Sequence, residues 1–356
     1  MTLDETFFLT GFPGFIAGRL VRRLAADGAR FLLLVQPAFV ERARRELEEM
    51  ARDTGTDVGR FRVLEGDITR ERLGMSREDF ETARAEATAI FHLAAIYDLA
   101  VERGPALRVN VEGTRNVCEF ARAVKSLNRF HHVSTCYVAG LRTGFIREDE
   151  LRHDAGFRNF YEETKYLSEI EVDELKNDLP VTIHRPAVVC GDSRTGETAK
   201  YDGVYYLINY LRMRPKLLSL ANIGNRDVRL NVVPVDFVVE AMAALARDVR
   251  AAGATVQLAD PAPLTTYELF ETVAQALAHR GSFVTVPPLL VQKSLALAVS
   301  EKLTGLPRAG VPYFFIRQTY DTARAQELLE PHGLRCPPFP TYVNALIDFV
   351  EKHPAL

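Results

Sequence analysis

The chain has 356 residues, 47% hydrophobic and 26% charged, and its 44 Lys and Arg against 47 Asp and Glu leave a formal net charge of −3. That is the balance of a globular protein, large enough for one big domain or two closely built ones, without the basic footprint that nucleic acid requires. The four cysteines, Cys118, Cys136, Cys190 and Cys336, form no C-x-x-C pair. Neither a disulfide framework nor a metal site is expected, and reduced thiols in a cytoplasmic protein are.

The opening "MTLDETFFLTG" carries acids where an export signal needs a basic segment. No run reaches the roughly 18 apolar residues of a membrane span. The nearest, "PPLLVQKSLALAVSEKLTGLP" (287–307), is interrupted by Lys293, Glu301 and Lys302 and reads as an amphipathic helix. Peripheral contact with a membrane stays open.

Along the first 190 residues, compact apolar runs alternate with amphipathic segments. The runs are "TFFLT" (6–10), "RFLLLVQ" (30–36), "FRVLEG" (61–66), "AIFHLAA" (89–95), "FHHVST" (130–135) and "PVTIHRP" (180–186). Helical patterns fall between them, at 14–27, 38–52, 104–124 and 159–177. Strands buried on both faces and separated by helices predict a doubly wound parallel sheet, the Rossmann arrangement of the α/β class. After Gly191 the pattern loosens into a Gly/Asp/Thr loop (191–203), an aromatic helix (204–211) and a return strand near 231–235. A helix at 236–248 and a strand at 255–260 follow, and 264–356 is helical with Pro-rich breaks at 286–288 and 337–340. The expected division is a dinucleotide domain from 1–190 plus 231–262, and a smaller, mostly helical substrate-binding cap from 191–230 plus 263–356.

The segment "FFLTGFPGFIAGRL" is a strand, a turn and a helix. Gly11 permits the tight turn, Gly14 lets backbone approach a pyrophosphate, and small Ala17 keeps helix and strand close, with Phe12, Pro13, Phe15 and Ile16 completing the loop. The helix N-terminus then offers free N–H groups and the positive end of its dipole to an anion. A G-x-x-G-x-x-A pattern opening the first βαβ unit predicts a dinucleotide site, although a plain strand–helix turn has the same spelling. In an NAD site an acid about 20 residues on holds the ribose 2′-OH. Gln36 stands there, and Arg19, Arg42, Arg44 and Arg45 are candidates for a 2′-phosphate, or else a solvated helix face. NADP(H) is therefore expected over NAD(H). Asp67, followed by Ile68, suits the adenine edge, or simply caps the following turn.

Tyr161 lies four residues before Lys165 in "NFYEETKYLSE". On a helix the two share a face, so a phenol and an ammonium can enter one cleft, where the cation favours phenolate. Such a tyrosine can exchange a proton with a carbonyl or alcohol oxygen near neutral pH. The same pair arises readily by chance.

In order and spacing, "TGFPGFIA", "GDIT", "HLAA", "NVEGTRNV", "HVSTCYVAG", "YEETK", "HRPAVVCG", "NVVPVDFV" and "YDTARAQELL" resemble an extended short-chain dehydrogenase/reductase over nearly the whole length. Tyr161 and Lys165 fall about 25 residues after "ST", where that family has its catalytic tyrosine and lysine. The resemblance implies that Thr135, or less favourably Ser134, donates a hydrogen bond to the reacting oxygen. It also implies that Tyr161 is the general acid, and that Lys165 holds the nicotinamide ribose and depresses the tyrosine. Leu93, Ala94 and Ala95 would line the cofactor trough, and Pro186, Val188 and Val189 would run beside the nicotinamide amide. Asn110 would tie strand and helix backbones together, or act as a helix cap.

Within that superfamily, "GDITRERLGMSREDFETA", "FHLAA" and "RFHHVSTCYVAG" are similar to the fatty acyl-CoA reductase (male-sterility) and carrier-protein thioester reductase group. An acyl thioester or aldehyde substrate is then expected. The chain carries no carrier domain of its own, so the thioester would arrive as acyl-CoA or on a separate carrier protein. The cap's Tyr205, Tyr206, Tyr210, Leu289, Leu290, Leu295, Tyr313, Phe314 and Phe315 suit a lipid-like ligand, though most such residues are core. Arg212, Arg214, Lys216, Arg226 and Arg229 are candidates for a phosphate, or a solvated face. Hydroxysteroid or lipid alcohol dehydrogenation and nucleotide-sugar epimerisation or dehydration are the alternative activities, and the missing acid at Gln36 weighs against the last.

Overall fold

The computed structural model describes residues 5–295 and 308–354. Seven strands form one sheet: β1 (Thr6–Thr10), β2 (Arg30–Val35), β3 (Phe61–Glu65), β4 (Ala89–His92), β5 (Arg129–Val133), β6 (Val181–Pro186) and β7 (Thr255–Leu258). Their spatial order is β7-β6-β5-β4-β1-β2-β3, and every neighbouring pair is parallel. The chain winds outward from β1 in one direction, then restarts at β4 in the other. The crevice between the carboxyl ends of β1 and β4 is thus the topological switch point, where open α/β sheets bind ligands.

The period-two geometry of a strand explains why these runs are apolar throughout. Phe7 and Leu9 of β1, with Phe31, Leu33 and Val35 of β2, enter one buried cluster, while Phe8, Leu32 and Leu34 enter the other. The first cluster is closed by α1 (Phe15–Ala26), α2 (Val40–Thr54) and α7 (Val235–Arg247). The second is closed by α3 (Arg77–Glu86), α4 (Gly113–Ala123) and α5 (Phe160–Leu175). Phe8 meets Phe120 of α4 with ring centroids 4.4 Å apart. A Phe buried this way contributes about 1.5–3 kcal/mol.

A third buried cluster forms the cap. It joins α6 (Val204–Met213), α8 (Thr266–Ala278) and α11 (Val343–Lys352) around Tyr205, Ile208, Phe270 and Leu346. The start of α8 is fixed by a capping box, in which Thr265 and Glu268 satisfy each other's backbone N–H groups. Of the stretch 287–307, α9 (Pro288–Leu295) is helical and 296–307 lies outside the described residues. The helix α10 (Ala323–Leu329) buries Ala325, Leu328 and Leu329 in the sheet-side cluster, not in the cap.

Strands β4, β5 and β6 carry an unforeseen polar interior. His131, His132 and His184 are fully buried and His92 nearly so, because a central strand buries both faces whatever residues it bears. His92 is held between the hydroxyls of Thr10 and Thr114, at 2.8 and 2.9 Å. His131 bonds His184 at 3.1 Å and stacks on Phe91. Burial pushes His92 and His184 down to about 3, with the charges of Lys165 and Arg129 respectively adding to the effect. Burial likewise depresses His131 and His132.

These groups reject a proton that the unfolded chain accepts near 6.5. Their stabilisation is complete above that value and is lost as pH falls below it, down to about 3 for His92 and His184, at about 1.4 kcal/mol per pH unit for each histidine still unprotonated in the fold. His132, whose ring nitrogens have no hydrogen-bond partner among the described residues, is the informative substitution. His132→Phe is expected to flatten the fall in urea-unfolding free energy between pH 6.5 and 4.5. An unchanged slope would show that the buried imidazole is not what makes the fold acid-sensitive.

Candidate active site

At the switch point the chain leaves β1 through Gly11, whose φ is +95°. A Cβ there would lie 2.9 Å from the Ala94 nitrogen and the Leu93 carbonyl carbon, so the turn packs directly on the exit of β4. At Gly14 a Cβ would meet the Gly11 carbonyl oxygen at 2.6 Å. Gly14 caps α1 without a side chain, and the first turn of α1 holds no acid. The N-terminal amides of α1 therefore meet the cleft uncapped, a cradle of the kind that binds phosphate.

This turn forms one end of a cleft of about 760 Å³. Gly11, Phe12, Pro13, Gly14, Phe15 and Ile16 line it. So do Gln36, Ile68, Leu93, Ala94 and Ala95. Thr135, Tyr161, Lys165, Pro186, Val188 and Val189 also line it, far away in sequence. Two expected residues do not. The Asp67 carboxylate accepts from the Thr69 backbone N–H and hydroxyl, each at 2.9 Å, and so closes its own turn. Asn110 is buried behind the wall, where its side chain accepts from the Ile96 N–H at 2.8 Å and donates to the Thr164 hydroxyl at 3.0 Å. It ties the exit of β4 to α5.

Helix α5 presents Tyr161, Lys165 and Glu169 on one face, each a helical turn from the next. Asn159 starts the helix by accepting from the Glu162 N–H at 3.0 Å. The Tyr161 phenol shares the cleft with the Thr135 hydroxyl, which donates to the Pro186 carbonyl at 3.5 Å and accepts from the Tyr137 N–H at 3.2 Å, whereas the Ser134 hydroxyl donates to Glu169. The two hydroxyls of "ST" thus have separate partners. Lys165 donates to the Val133 carbonyl at 2.9 Å, which anchors the ammonium at the end of β5.

Burial pushes the Tyr161 phenol up, the neighbouring Thr135 hydroxyl opposes this, and the charges of Glu162 and Asp202 add to the rise. The expected depression by Lys165 is not among the influences on that phenol, because the ammonium is turned onto Val133. Burial also brings Lys165 down to about 8, with Glu169 opposing.

Glu169 is fully buried, and Arg185 of β6 is 2% exposed. The guanidinium donates twice to Glu169, at 2.8 and 2.6 Å, and once each to the carbonyls of Glu148 and Glu150. A buried anion held this way fixes the second half of α5 to β5 and β6.

Sequence reasoning missed Tyr97, Lys200 and Asp202, which also line the cleft. The Tyr97 ring stands edge-on to Tyr161 at 5.2 Å, its phenol lies within the field of the Asp202 carboxylate, and the Lys200 ammonium lies 5.1 Å from its ring centre. Both segments are loops, so no periodicity marked them. Of the four candidate arginines, Arg42 alone lines the cleft, donating to the Pro13 carbonyl at 3.3 Å. Arg19 pairs with Asp192 and Glu197, Arg44 pairs with Glu41, and Arg45 is exposed. Arg229 of the cap cluster donates to the Pro263 carbonyl, and Arg226 lies over the Tyr267 ring.

The family model described as male sterility protein matches residues 9–242. The chain belongs to the male sterility protein family. The family match begins in β1 and ends in α7, so it takes in the glycine turn and the Tyr161 helix. The architecture is that of the extended short-chain dehydrogenase/reductases, an oxidoreductase fold with an NAD(P)-binding domain.

Similar proteins include the glycine betaine reductase ATRR of Emericella nidulans, 26% identical over 76% of this chain and 22% of that protein. The fatty acyl-CoA reductase wat of Drosophila melanogaster is 24% identical over 69% of this chain and 54% of its own length. The chain therefore spans about half or less of these relatives. The terminal R domain from the myxalamid PKS-NRPS pathway has the same fold, with a TM-score of 0.83 at 24% identity, covering 100% of this chain and 93% of that one.

Removing one partner of a buried ion pair leaves the other charge uncompensated and costs about 3–5 kcal/mol. Glu169→Gln is expected to lower the urea-unfolding free energy by that amount. A change under about 1 kcal/mol, the scale of an ordinary substitution, would mean that Arg185 is satisfied without it.

Proposed function

We propose that this protein is an NADPH-dependent reductase of apolar acyl thioesters or aldehydes. The convergence of Thr135, Tyr161 and Lys165 in the cleft that begins at the glycine turn carries this reading. The residues present fit the cofactor. Gly11 and Gly14 leave room that a Cβ would fill, and the uncapped start of α1 suits a pyrophosphate. Gln36 puts no carboxylate against a 2′-phosphate, and Arg42 is the cation to hold one. Lys165 would hold the nicotinamide ribose. NADPH, when bound, supplies the hydride.

The chain's own part is alignment and proton transfer. Thr135 donates a hydrogen bond to the carbonyl oxygen of the substrate, and Tyr161 passes its proton there as negative charge develops. Burial keeps Tyr161 in its protonated, donating form. The cap holds a second, apolar cavity lined by Leu207, Tyr210, Ile223, Phe270, Val291 and Phe314, about 60 Å³ as it stands, which would widen to take the apolar arm of the substrate. That cavity begins at Val204, two residues beyond Asp202 of the catalytic cleft. Its wall is coupled to the start of α5, because Tyr313 donates to Glu162 at 2.6 Å and accepts from Asn159 at 2.8 Å.

NADPH oxidation should proceed with medium- or long-chain acyl-CoAs or aldehydes and fail with steroid ketones. The reverse preference would replace this reading with the alcohol-dehydrogenase one. Tyr161→Phe is expected to lower kcat by about 10²–10⁴-fold while NADPH fluorescence titration is unchanged. Undiminished turnover would remove Tyr161 from the mechanism. Arg42→Ala should weaken NADPH by about tenfold or more and leave NADH alone, since only NADPH brings the extra phosphate. Equal losses for both would refute that assignment.

A further inference from the structure

One face of the cap is apolar, exposed and free of acids. From Gly203 to Arg226, and again from Thr272 to Leu295, the chain has no Asp or Glu, although it has 47 of them in 356 residues. The fold brings these two stretches together. Ala221–Asn222 pairs in parallel with Val284–Thr285, and the N–H groups of Phe283 and Val284 both reach the Leu220 carbonyl, at 2.9 and 3.2 Å.

Around that ladder, large apolar side chains face solvent: Phe283 at 77% exposure, Leu289 at 71%, Val284 at 59%, Leu290 at 57%, Leu217 at 55% and Met213 at 54%. A contiguous apolar surface on a soluble chain marks a contact site. Exposed Arg214, Lys216 and Lys293 accompany it, none in an ion pair with another described residue. Glu271, the carboxylate beside the ladder, is turned inward onto Asn222 and Ser282.

The charge pattern selects the occupant. An isologous pairing of two copies would set these uncompensated cations against each other. A protein partner would have to bury protruding aliphatic and phenyl groups and at the same time supply carboxylates for cations that have none of their own here. A bilayer surface with anionic headgroups asks for what is present: protruding hydrocarbon ringed by Lys and Arg. Helix α9 adds a second, independent observation. Its Val291 lines the apolar cap cavity, while its Leu289 and Leu290 point to solvent. One helix thus separates the cavity from the exposed face.

We infer that this face docks on an anionic membrane, placing the cap cavity beside the hydrocarbon from which a lipid-borne acyl substrate enters. The docking rests on the surface alone, and only the entry of substrate rests on the reductase reading.

Co-sedimentation of the whole chain with vesicles of phosphatidylcholine containing phosphatidylglycerol tests it without turnover. Binding should be strong with the mixed vesicles, weak with pure phosphatidylcholine, and reduced by raised salt. The triple variant Phe283→Asp, Leu289→Asp, Leu290→Asp should lose at least about tenfold in vesicle affinity. Because the replaced side chains are exposed, its NADPH titration and unfolding curve should match those of the parent. Absence of vesicle binding by the parent, or equal binding by the variant, overturns the inference. So does binding to an acidic carrier protein that the same variant abolishes while vesicles are ignored. Vesicle binding without any acyl reduction would keep the docking surface and remove the proposed activity.

Discussion

Everything at the reacting end of the cleft depends on one buried carboxylate. Glu169 lies a helical turn beyond Lys165 and two beyond Tyr161, fully buried, with Arg185 and Ser134 hydrogen-bonded to it. An isolated charge in that place would cost several kcal/mol. It persists because Arg185 of β6 and Ser134 at the end of β5 each contribute a partner, so satisfying it requires α5 and both strand ends to be in place. The rotational phase of α5 is then set, and the phenol and the ammonium face the carboxyl ends of the sheet. The same carboxylate takes up Ser134, so that of the two neighbouring hydroxyls only Thr135 is left without a tie to it.

Much of this was legible in the sequence where one residue pattern allows one backbone solution. Unbroken apolar runs such as "RFLLLV" read as buried parallel strands when helices alternate with them, whereas the order of the seven strands is seen only in the fold. Gly11 and Gly14 announce the turn because any larger residue would strike backbone there. The i, i+4 spacing of Tyr161 and Lys165 places both on one face once the helix is granted. That Thr135 joins them could be read only from the family resemblance, since 26 residues of loop and helix entry separate it from Tyr161.

Other features were hidden because they depend on what packs against a residue. The strand "RFHHV" looks half polar, yet its histidines are buried, since burial is set by position in the sheet and the side chains adapt by bonding one another. Four arginines near Gln36 were equivalent in sequence. Arg42 is separated from the other three by reach, since its guanidinium also donates to the Pro13 carbonyl of the glycine turn while pairing with Glu46, whereas Arg19 and Arg44 are held by Asp192, Glu197 and Glu41 away from the cleft. Tyr97 and Asp202 meet across the cleft from two loops, and nothing periodic connects them. Asp67 shows the opposite case: an acid at a promising position that hydrogen-bonds its own turn.

The protonation pattern bears on direction. Burial moves the phenol and the ammonium oppositely, raising Tyr161 and bringing Lys165 down to about 8. Near neutral pH the free site therefore holds a neutral phenol and a largely charged amine. A neutral phenol is a proton donor, which is what a carbonyl oxygen gaining negative charge requires. Oxidation of an alcohol would ask the same oxygen to begin as phenolate, beside the carboxylates of Glu162 and Asp202 that disfavour it. On the proposed reading, the pocket wall would favour the reductive direction through residues beside Thr135, Tyr161 and Lys165: Asp202 from the cap-side loop and Glu162 from the helix that Tyr313 ties to the cap cavity.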